Sequence, residues 1–177
     1  MLNGASSSGK STIARSLLPL LPEPWFLVPV DAVNAMRSTT QTRDLPDEQL
    51  DEMLRRTRLG YHRVVAGLAS AGNDVVMDYP LSERWRLEDL LDVLEPYDVT
   101  LVEVRCSLEV LERRERDRGD RSAGLARSQE QGYAVGDCDI AVDTTDRTAE
   151  ACARTIADEY TTLSPLKAFD RLRAASL

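Results

Sequence analysis

The sequence of 177 residues contains no long apolar run and no excess of positive charge. No apolar stretch approaches the ~20 residues that a membrane-spanning helix needs, and the first residues lack the pattern of a signal peptide. Lysine and arginine number 22 against 30 aspartate and glutamate residues, which gives a formal net charge of −8. Nucleic acids and anionic membranes bind basic surfaces. We therefore expect a cytoplasmic protein without nucleic acid or membrane among its partners.

Cysteine, histidine and lysine are also scarce. The three cysteines (Cys106, Cys138 and Cys152) are odd in number and lack CxxC spacing, which argues against a disulfide framework and against a zinc site. The single histidine, His62, lies within a predicted helix without a matching base or nucleophile, so we interpret it as structural. Only two of the 22 basic residues are lysines. A lysine inside a functional motif is therefore a rare feature of this chain.

Short apolar runs alternate with longer segments of helical periodicity. Strands are predicted at residues 25–30, 74–78, 99–105 and 139–143, and helices at 11–21, 46–68, 82–94, 108–117 and 149–160. This alternation predicts an α/β fold, a parallel sheet of about five strands with flanking helices in a single domain. Only Met1, Leu2 and Asn3 precede the first loop, so the first strand is very short or begins upstream of Met1.

One motif near the start carries most of the functional prediction. Residues 4–11 match the phosphate-binding pattern G-x-x-x-x-G-K-[ST], with Lys10 expected at the outer phosphates as a catalytic residue and Ser11 at Mg²⁺. Backbone N–H groups of such a loop, together with the following helix N-terminus, bind phosphate. The predicted nucleotide-binding residues are Gly4, Ala5, Ser6, Ser7, Ser8, Gly9, Lys10, Ser11 and Thr12, together with Arg114 from an arginine cluster at 113–121.

The class of nucleotide-binding protein is narrowed by two further absences. No N/T-K-x-D guanine-reading sequence follows a strand, which argues against a GTPase. The chain is also too short for an oligomeric ATPase with a separate lid domain. A compact kinase of a small molecule, using ATP and Mg²⁺ as cofactors, remains the favoured class. The sequence leaves the oligomeric state open, a homo-oligomer included.

An arginine cluster follows the predicted strand at 99–105. Residues 113–121 contain five arginines, of which Arg114 and Arg118 share a helix face and Arg121 lies beyond Gly119. Guanidinium groups stabilise the charge that spreads over phosphoryl oxygens during transfer. We predict a lid over about residues 113–132, with Arg118 and Arg121 catalytic. The alternative is a solvated helix in an arginine-rich protein.

Three aspartates end predicted strands, where ligands bind in open α/β sheets. Asp31 is predicted to orient or deprotonate the acceptor hydroxyl, or else to cap a short helix. Asp78 is predicted to support Mg²⁺ or to position the acceptor. Asp143 is expected near the adenine or, equally, as the N-cap of the helix that follows.

Several segments together resemble the chloramphenicol phosphotransferase family. They are LNGASSSGKS (2–11), LPEPW (21–25), Val30–Asp31, ERWR (83–86), VRC (104–106), RxxxRGDR (114–121) and VDTT (142–145). The resemblance covers about residues 2–158 and implies a P-loop kinase that moves the ATP γ-phosphoryl group onto a hydroxyl of chloramphenicol. It implies that Asp31 is the catalytic aspartate, that Lys10 and Ser11 form the phosphate and Mg²⁺ site, and that Arg118 and Arg121 fall in the lid.

The sequence departs from this family where the acceptor is expected. Residues 34–59 are part of a predicted acceptor-binding region at about 34–72. This segment is strongly charged and is shorter than the corresponding segment of the family. Asp78 is followed by Tyr79 instead of a second acidic residue, and residues 161–177 form a C-terminal extension. The favoured function is an ATP-dependent O-phosphotransferase acting on chloramphenicol or a similar antibiotic, which implies a role in antibiotic resistance. A kinase of another metabolite, nucleoside or sugar conjugate, or a non-catalytic nucleotide-binding switch, remains as an alternative.

Overall fold

The computed structural model describes residues 1–118 and 134–175, and these contain a five-stranded parallel sheet. The strands are β1 (Leu2–Asn3), β2 (Trp25–Pro29), β3 (Asp74–Asp78), β4 (Val102–Arg105) and β5 (Ile140–Asp143). Their order across the sheet is β2-β3-β1-β4-β5, and every neighbouring pair is parallel. The predicted α/β fold is therefore confirmed, including the very short first strand.

Helices connect the strands along both faces of the sheet. They are α1 (Lys10–Leu17), α2 (Val30–Ala35), α3 (Thr39–Arg43), α4 (Asp47–Ser70), α5 (Arg84–Val93), α6 (Leu108–Arg118), α7 (Ala149–Tyr160) and α8 (Ala168–Ala175). The predicted first helix ends earlier than expected, because the segment containing Pro19 forms a 3₁₀ turn over Leu18–Leu20. Val30, predicted as the end of a strand, instead begins α2.

The two faces of the sheet support separate hydrophobic clusters. Successive side chains of a strand point to opposite faces, so Val76 packs with Ile13 and Ile156 whereas Met77 packs with Tyr61 and Leu90. Helices α1 and α7 cover the first face, and α4 and α5 cover the second. The strand ends that follow these buried residues are thus fixed in position from both sides.

The register brings four chain segments to one edge of the sheet. Leu2 lies opposite both Asp78 and Val102, Pro29 lies opposite Asp78, and Arg105 lies opposite Asp143. The segments that follow β1, β2, β4 and β5 therefore leave the sheet beside one another, next to the carboxyl end of β3. In open α/β sheets this is the edge where ligands bind.

The C-terminal segment, predicted as an extension, packs against the opposite edge. Ala168 and Phe169 are buried, and the Ala168 N–H donates to Asp139 Oδ1 at 2.7 Å. Lys167 Nζ lies 2.8 Å from Asp98, and Arg171 Nε lies 2.7 Å from Asp137. Among the described helices, none combines the length and the apolar character that crossing a membrane requires.

Candidate active site

The loop between β1 and α1 has a backbone that only its glycines permit. At Gly4, a Cβ atom would lie 2.4 Å from the Val104 carbonyl oxygen, so a larger residue would have to displace strand β4. Gly9 has φ +93 and stands as the N-cap of α1, a conformation that L side chains rarely adopt. The loop therefore curls tightly against the sheet and directs its chain into the N-terminus of α1.

Lys10 is buried at the start of α1. Its Nζ donates to the Ala5 carbonyl at 2.6 Å and lies 3.5 Å from Ser8 Oγ, so the ammonium group sits within the curve of the loop. Among the other predicted nucleotide-binding residues, the cavity beside the loop is lined by Ser6, Ser7, Gly9 and Thr12. It is not lined by Gly4, Ala5 or Ser8.

Ser11 and Asp78 are brought together across the sheet edge. The Ser11 hydroxyl donates to Asp78 Oδ2 at 2.6 Å, and Asp78 is 6% exposed. Hydroxyl and carboxylate oxygens are the hard ligands that Mg²⁺ prefers, and this ion usually takes its remaining ligands from phosphate and water. The pair fits a Mg²⁺ ion, and Ser11 and Asp78 are the residues that would hold it.

Asp31 lies in the first turn of α2 and lines the same small cavity as Lys10, Ser11 and Asp78. This cavity has a volume of about 90 Å³, and we call it the phosphate cavity. The N-cap of α2 is Pro29, with no side-chain capping bond. The alternative that Asp31 caps its helix is therefore wrong, and its exposed carboxylate reaches Asn34 Nδ2 at 3.5 Å.

Arg114 connects α6 to the loop and to the end of β5. Its Nη2 donates to the Thr144 carbonyl at 2.8 Å, and its Nη1 lies 3.1 Å from Thr144 Oγ1 and 3.5 Å from the Ser7 carbonyl. Thr144 in turn donates to the Ser8 carbonyl at 2.8 Å. The guanidinium group thus lies against the backbone of the phosphate loop.

A second cavity of about 370 Å³ opens on this side of the loop. It shares Ser7, Gly9 and Thr12 with the phosphate cavity, and its other lining residues are Arg114, Asp117, Thr144, Arg147 and Ala149. We call it the α6 cavity. Its position beside the loop and the end of β5 suits the base and ribose of a nucleotide whose phosphates lie on the loop.

Asp143, one of the three strand-ending aspartates, does not cap α7. The N-cap of α7 is Thr148, whose side chain accepts the Ala151 N–H, so the capping alternative for Asp143 is wrong. Asp143 instead accepts the Thr145 N–H at 2.7 Å. Hydrogen bonding from the Thr145 side chain and from its N–H, together with nearby Arg105 and Arg147, lowers the pKa of the Asp143 carboxyl.

The predicted lid is only partly described. Residues 113–118 belong to α6, whose last residue is Arg118, while Arg121 and the remainder of the predicted lid lie outside the described residues. The catalytic role of Arg118 and Arg121 stays a prediction.

Several polar residues near the phosphate cavity were given no individual role in the sequence analysis. They are Asn34 of α2, Arg37 just beyond it, Arg58 of α4 and Arg86 of α5, a group that reaches Asp31 through Asn34, and Arg147, which lines the α6 cavity. No spacing rule links them, because they come from separate elements. Only the high charge of residues 34–59 pointed towards this region.

A family model described as chloramphenicol phosphotransferase-like protein matches residues 1–161. The chain belongs to this family. A relative from Mycobacterium tuberculosis (strain H37Rv), named "Putative O-phosphotransferase", is 29% identical over 204 aligned residues. That alignment covers 98% of this chain and 86% of the relative.

Solved structures of other proteins, two of them kinases, show the same fold. The APS kinase of Mycobacterium tuberculosis, in complex with AMPPNP and APS, superposes with a TM-score of 0.69 at 17% identity, over 90% of this chain and 95% of that one. The shikimate kinase of Acinetobacter baumannii gives 0.64 at 14% identity, over 91% of both chains. The tunicamycin resistance protein of Deinococcus radiodurans gives 0.66 at 20% identity, over 93% and 96%. The fold is that of a P-loop kinase.

Proposed function

We propose that this family member transfers the γ-phosphoryl group of ATP to a hydroxyl group of a small molecule. The observation that carries the proposal is the meeting of Lys10, the Ser11–Asp78 pair and Asp31 around one cavity. A phosphate loop alone would serve any nucleotide-binding protein. The Asp31 carboxylate in the lining of the same cavity provides what a phosphotransferase needs in addition, a base for the attacking hydroxyl.

Each residue has a distinct part in this reaction. Lys10 binds the outer phosphates with its ammonium group, and the N–H groups of residues 6–11 bind phosphate oxygens. Asp31 orients the acceptor hydroxyl and accepts its proton. The hydroxyl oxygen forms a bond to the γ-phosphorus while the bond from that phosphorus to the β–γ bridging oxygen breaks, and ADP leaves with the electron pair.

The role of Ser11 and Asp78 is to hold Mg²⁺, which neutralises charge on the phosphate oxygens when it is bound. The 2.6 Å bond between these residues fixes both oxygens at the mouth of the loop. Arg114 supports the loop from the α6 side, and the α6 cavity accommodates the rest of the nucleotide. Arg118 and Arg121 are proposed to clamp the transferred group.

Chloramphenicol is the first acceptor to test, because the family model carries that description. A kinase of another small metabolite is the second candidate, and a specific observation favours it. Three arginines, Arg37, Arg58 and Arg86, donate to Asn34 and Pro80 close to the site, whereas an uncharged antibiotic requires none.

The decisive experiment is incubation with γ-labelled ATP, Mg²⁺ and a panel of hydroxyl compounds that includes chloramphenicol, followed by mass spectrometry of the products. Lys10→Ala is the inactive reference, since loss of the ammonium group should nearly abolish turnover while the fold persists. Arg15→Ala, an exposed change on the same helix, is the matched control. A phosphorylated product with the parent and not with Lys10→Ala supports the proposal. Nucleotide binding without any product would favour a non-catalytic switch.

A further inference from the structure

Two arginines meet one helical turn after Asp31. Arg58 Nη1 donates to Asn34 Oδ1 at 3.3 Å, and Arg37 Nε donates to the Asn34 carbonyl at 3.1 Å. The side chain of Asn34 also reaches Asp31 Oδ1 at 3.5 Å. One asparagine therefore connects the proposed base to both guanidinium groups.

Arg86 reaches the same region from α5. Its Nη1 donates to the Pro80 carbonyl at 3.1 Å, and Pro80 lines the phosphate cavity together with Asp31. The side chain is 11% exposed and lies over the ring of Tyr79 at 5.7 Å. Its Nε is buried without a hydrogen-bond partner.

The positive charge of this cluster is only partly balanced. Glu83 pairs with Arg86, but within residues 1–118 and 134–175 neither Arg37 nor Arg58 has a carboxylate at ion-pairing distance. Burial lowers the pKa of Arg58, and repulsion by the neighbouring Arg86 and Arg37 lowers it further. Half-buried charges of like sign are costly unless a counter-charge joins them.

Such an arrangement is unexpected in a chain with a net charge of −8, where carboxylates are plentiful. Guanidinium groups bind planar or tetrahedral oxyanions with paired hydrogen bonds, and Arg58 of α4 and Arg86 of α5 lie near enough for their charges to interact. An anionic ligand would supply the missing charge and an acceptor for the Arg86 Nε.

We propose that the acceptor of this phosphotransferase carries an oxyanion group, a carboxylate or a phosphate or sulfate ester, which Arg58 and Arg86 bind while the reacting hydroxyl lies at Asp31. This inference rests on the proposed function and narrows its substrate class. Arg37, which donates to the Asn34 carbonyl, adds positive potential beside Arg58. The three residues position the acceptor and take no part in the bond changes.

Matched acceptors test the proposal. Glycerol is compared with glycerate and glycerol 3-phosphate, and glucose with glucose 6-phosphate, by calorimetric titration into protein saturated with AMPPNP and Mg²⁺. The charged member of each pair should bind at least about tenfold more tightly, since charge-assisted hydrogen bonds have this strength. Glycerate and glycerol 3-phosphate together distinguish a carboxylate site from a phosphate site.

Arginine variants then show which residues cause the tighter binding of charged acceptors. Arg58→Gln and Arg86→Gln should each remove most of it and leave AMPPNP affinity unchanged, whereas Arg58→Lys should restore part. Arg56→Gln, an exposed change on the same helix, should have no effect. Melting curves confirm that each variant is folded.

The proposal is overturned if neutral and charged partners bind alike, if no charged probe binds up to its solubility limit, or if the preference survives Arg58→Gln. Phosphorylation of chloramphenicol at equal rates by the parent and Arg58→Gln would overturn it while leaving the proposed function intact. Arginine-dependent binding of the anions without any labelled product from the full acceptor panel would support the anion site and contradict the proposed function.

Discussion

At the scale of single residues, Gly4 decides whether the phosphate loop can lie against the sheet. A Cβ atom at this position would approach the Val104 carbonyl oxygen to 2.4 Å, and that oxygen belongs to the backbone of β4. Gly4→Ala should destabilise the fold by about 1–3 kcal/mol, typical of overpacking, and should weaken nucleotide binding. Chemical denaturation and nucleotide titration measure the two effects.

Gly60→Ala provides the control for that prediction. Gly60 lies inside α4, where an added Cβ would meet nothing within 4 Å. Alanine has a higher helix propensity than glycine, so the free energy of unfolding of this variant should rise by about 0.5–1 kcal/mol. Nucleotide binding by Gly4→Ala equal to that of the parent would show that the loop can move away from β4.

Asp31 provides a second prediction at this scale. Because Asp31 lies in the first turn of α2 and not at its N-cap, and because asparagine has the same size, Asp31→Asn should leave stability and nucleotide affinity unchanged. An amide cannot accept the hydroxyl proton, and general bases contribute typically ~10²–10⁴-fold, so transfer to the acceptor should fall by two orders of magnitude or more. Slow hydrolysis of ATP by water should persist. Single-turnover rates with labelled ATP separate these reactions, and equal transfer rates would mean that Asp31 is not the base.

At the scale of elements, α4 is the helix that joins the acceptor side to the core. Tyr61 donates from its hydroxyl to the Val28 carbonyl of β2 at 2.7 Å, and burial raises its pKa, which keeps the donor protonated. The next residue, His62, is fully buried, with Nδ1 at 2.5 Å from Asp89 of α5. Arg63 pairs with the same carboxylate. Three consecutive residues thus fix α4 against β2 and α5.

The buried histidine predicts how stability depends on pH. Burial lowers the pKa of His62 in the folded state, although Asp89 opposes the shift. The unfolded chain therefore binds more protons just below its own histidine pKa of ~6.5, and the free energy of unfolding should fall as the pH drops through that window. Denaturation between about pH 5 and pH 7 measures the slope. His62→Asn, which keeps a donor for Asp89, should show a flatter profile. An unchanged slope would assign the effect to other groups.

Local patterns in the sequence predicted most helices and strands, but not which residues from separate elements meet in the folded protein. Strand 74–78 and helix 149–160 have the predicted bounds, because apolar periodicity and capping are local properties. The phosphate loop was equally readable, since its eight consecutive residues form one motif. Arg58 and Arg86 were not, because their meeting beside Asp31 depends on how α4 packs against α5. Helix α8 was also missed, since an eight-residue helix gains its stability from docking.

At the scale of the whole molecule, the two edges of the sheet have different roles. The phosphate loop, Asp31, Asp78 and Thr144 lie at the carboxyl ends of the strands. At the other edge, α8 and its charged neighbours close the fold through Asp98, Asp137 and Asp139. The central strand β1, between β3 and β4, has only two residues, so the two ends of the strands lie close together there.

This separation predicts that stability and catalysis can be changed independently. Phe169 of α8 is 1% exposed and packs in the cluster under α4 and α5. Phe169→Ala should therefore lower the free energy of unfolding by about 3–5 kcal/mol, as for other buried phenylalanines. Below the melting transition, kcat and nucleotide affinity should stay at parent values, because α8 docks beside Asp139 at the amino end of β5, whereas the phosphate cavity lies at the carboxyl ends of the strands. Leu166→Ala, at a side chain that is 59% exposed, should alter neither property. A fall in kcat for Phe169→Ala in fully folded protein would mean that the docking of α8 is transmitted through β1 to the phosphate loop.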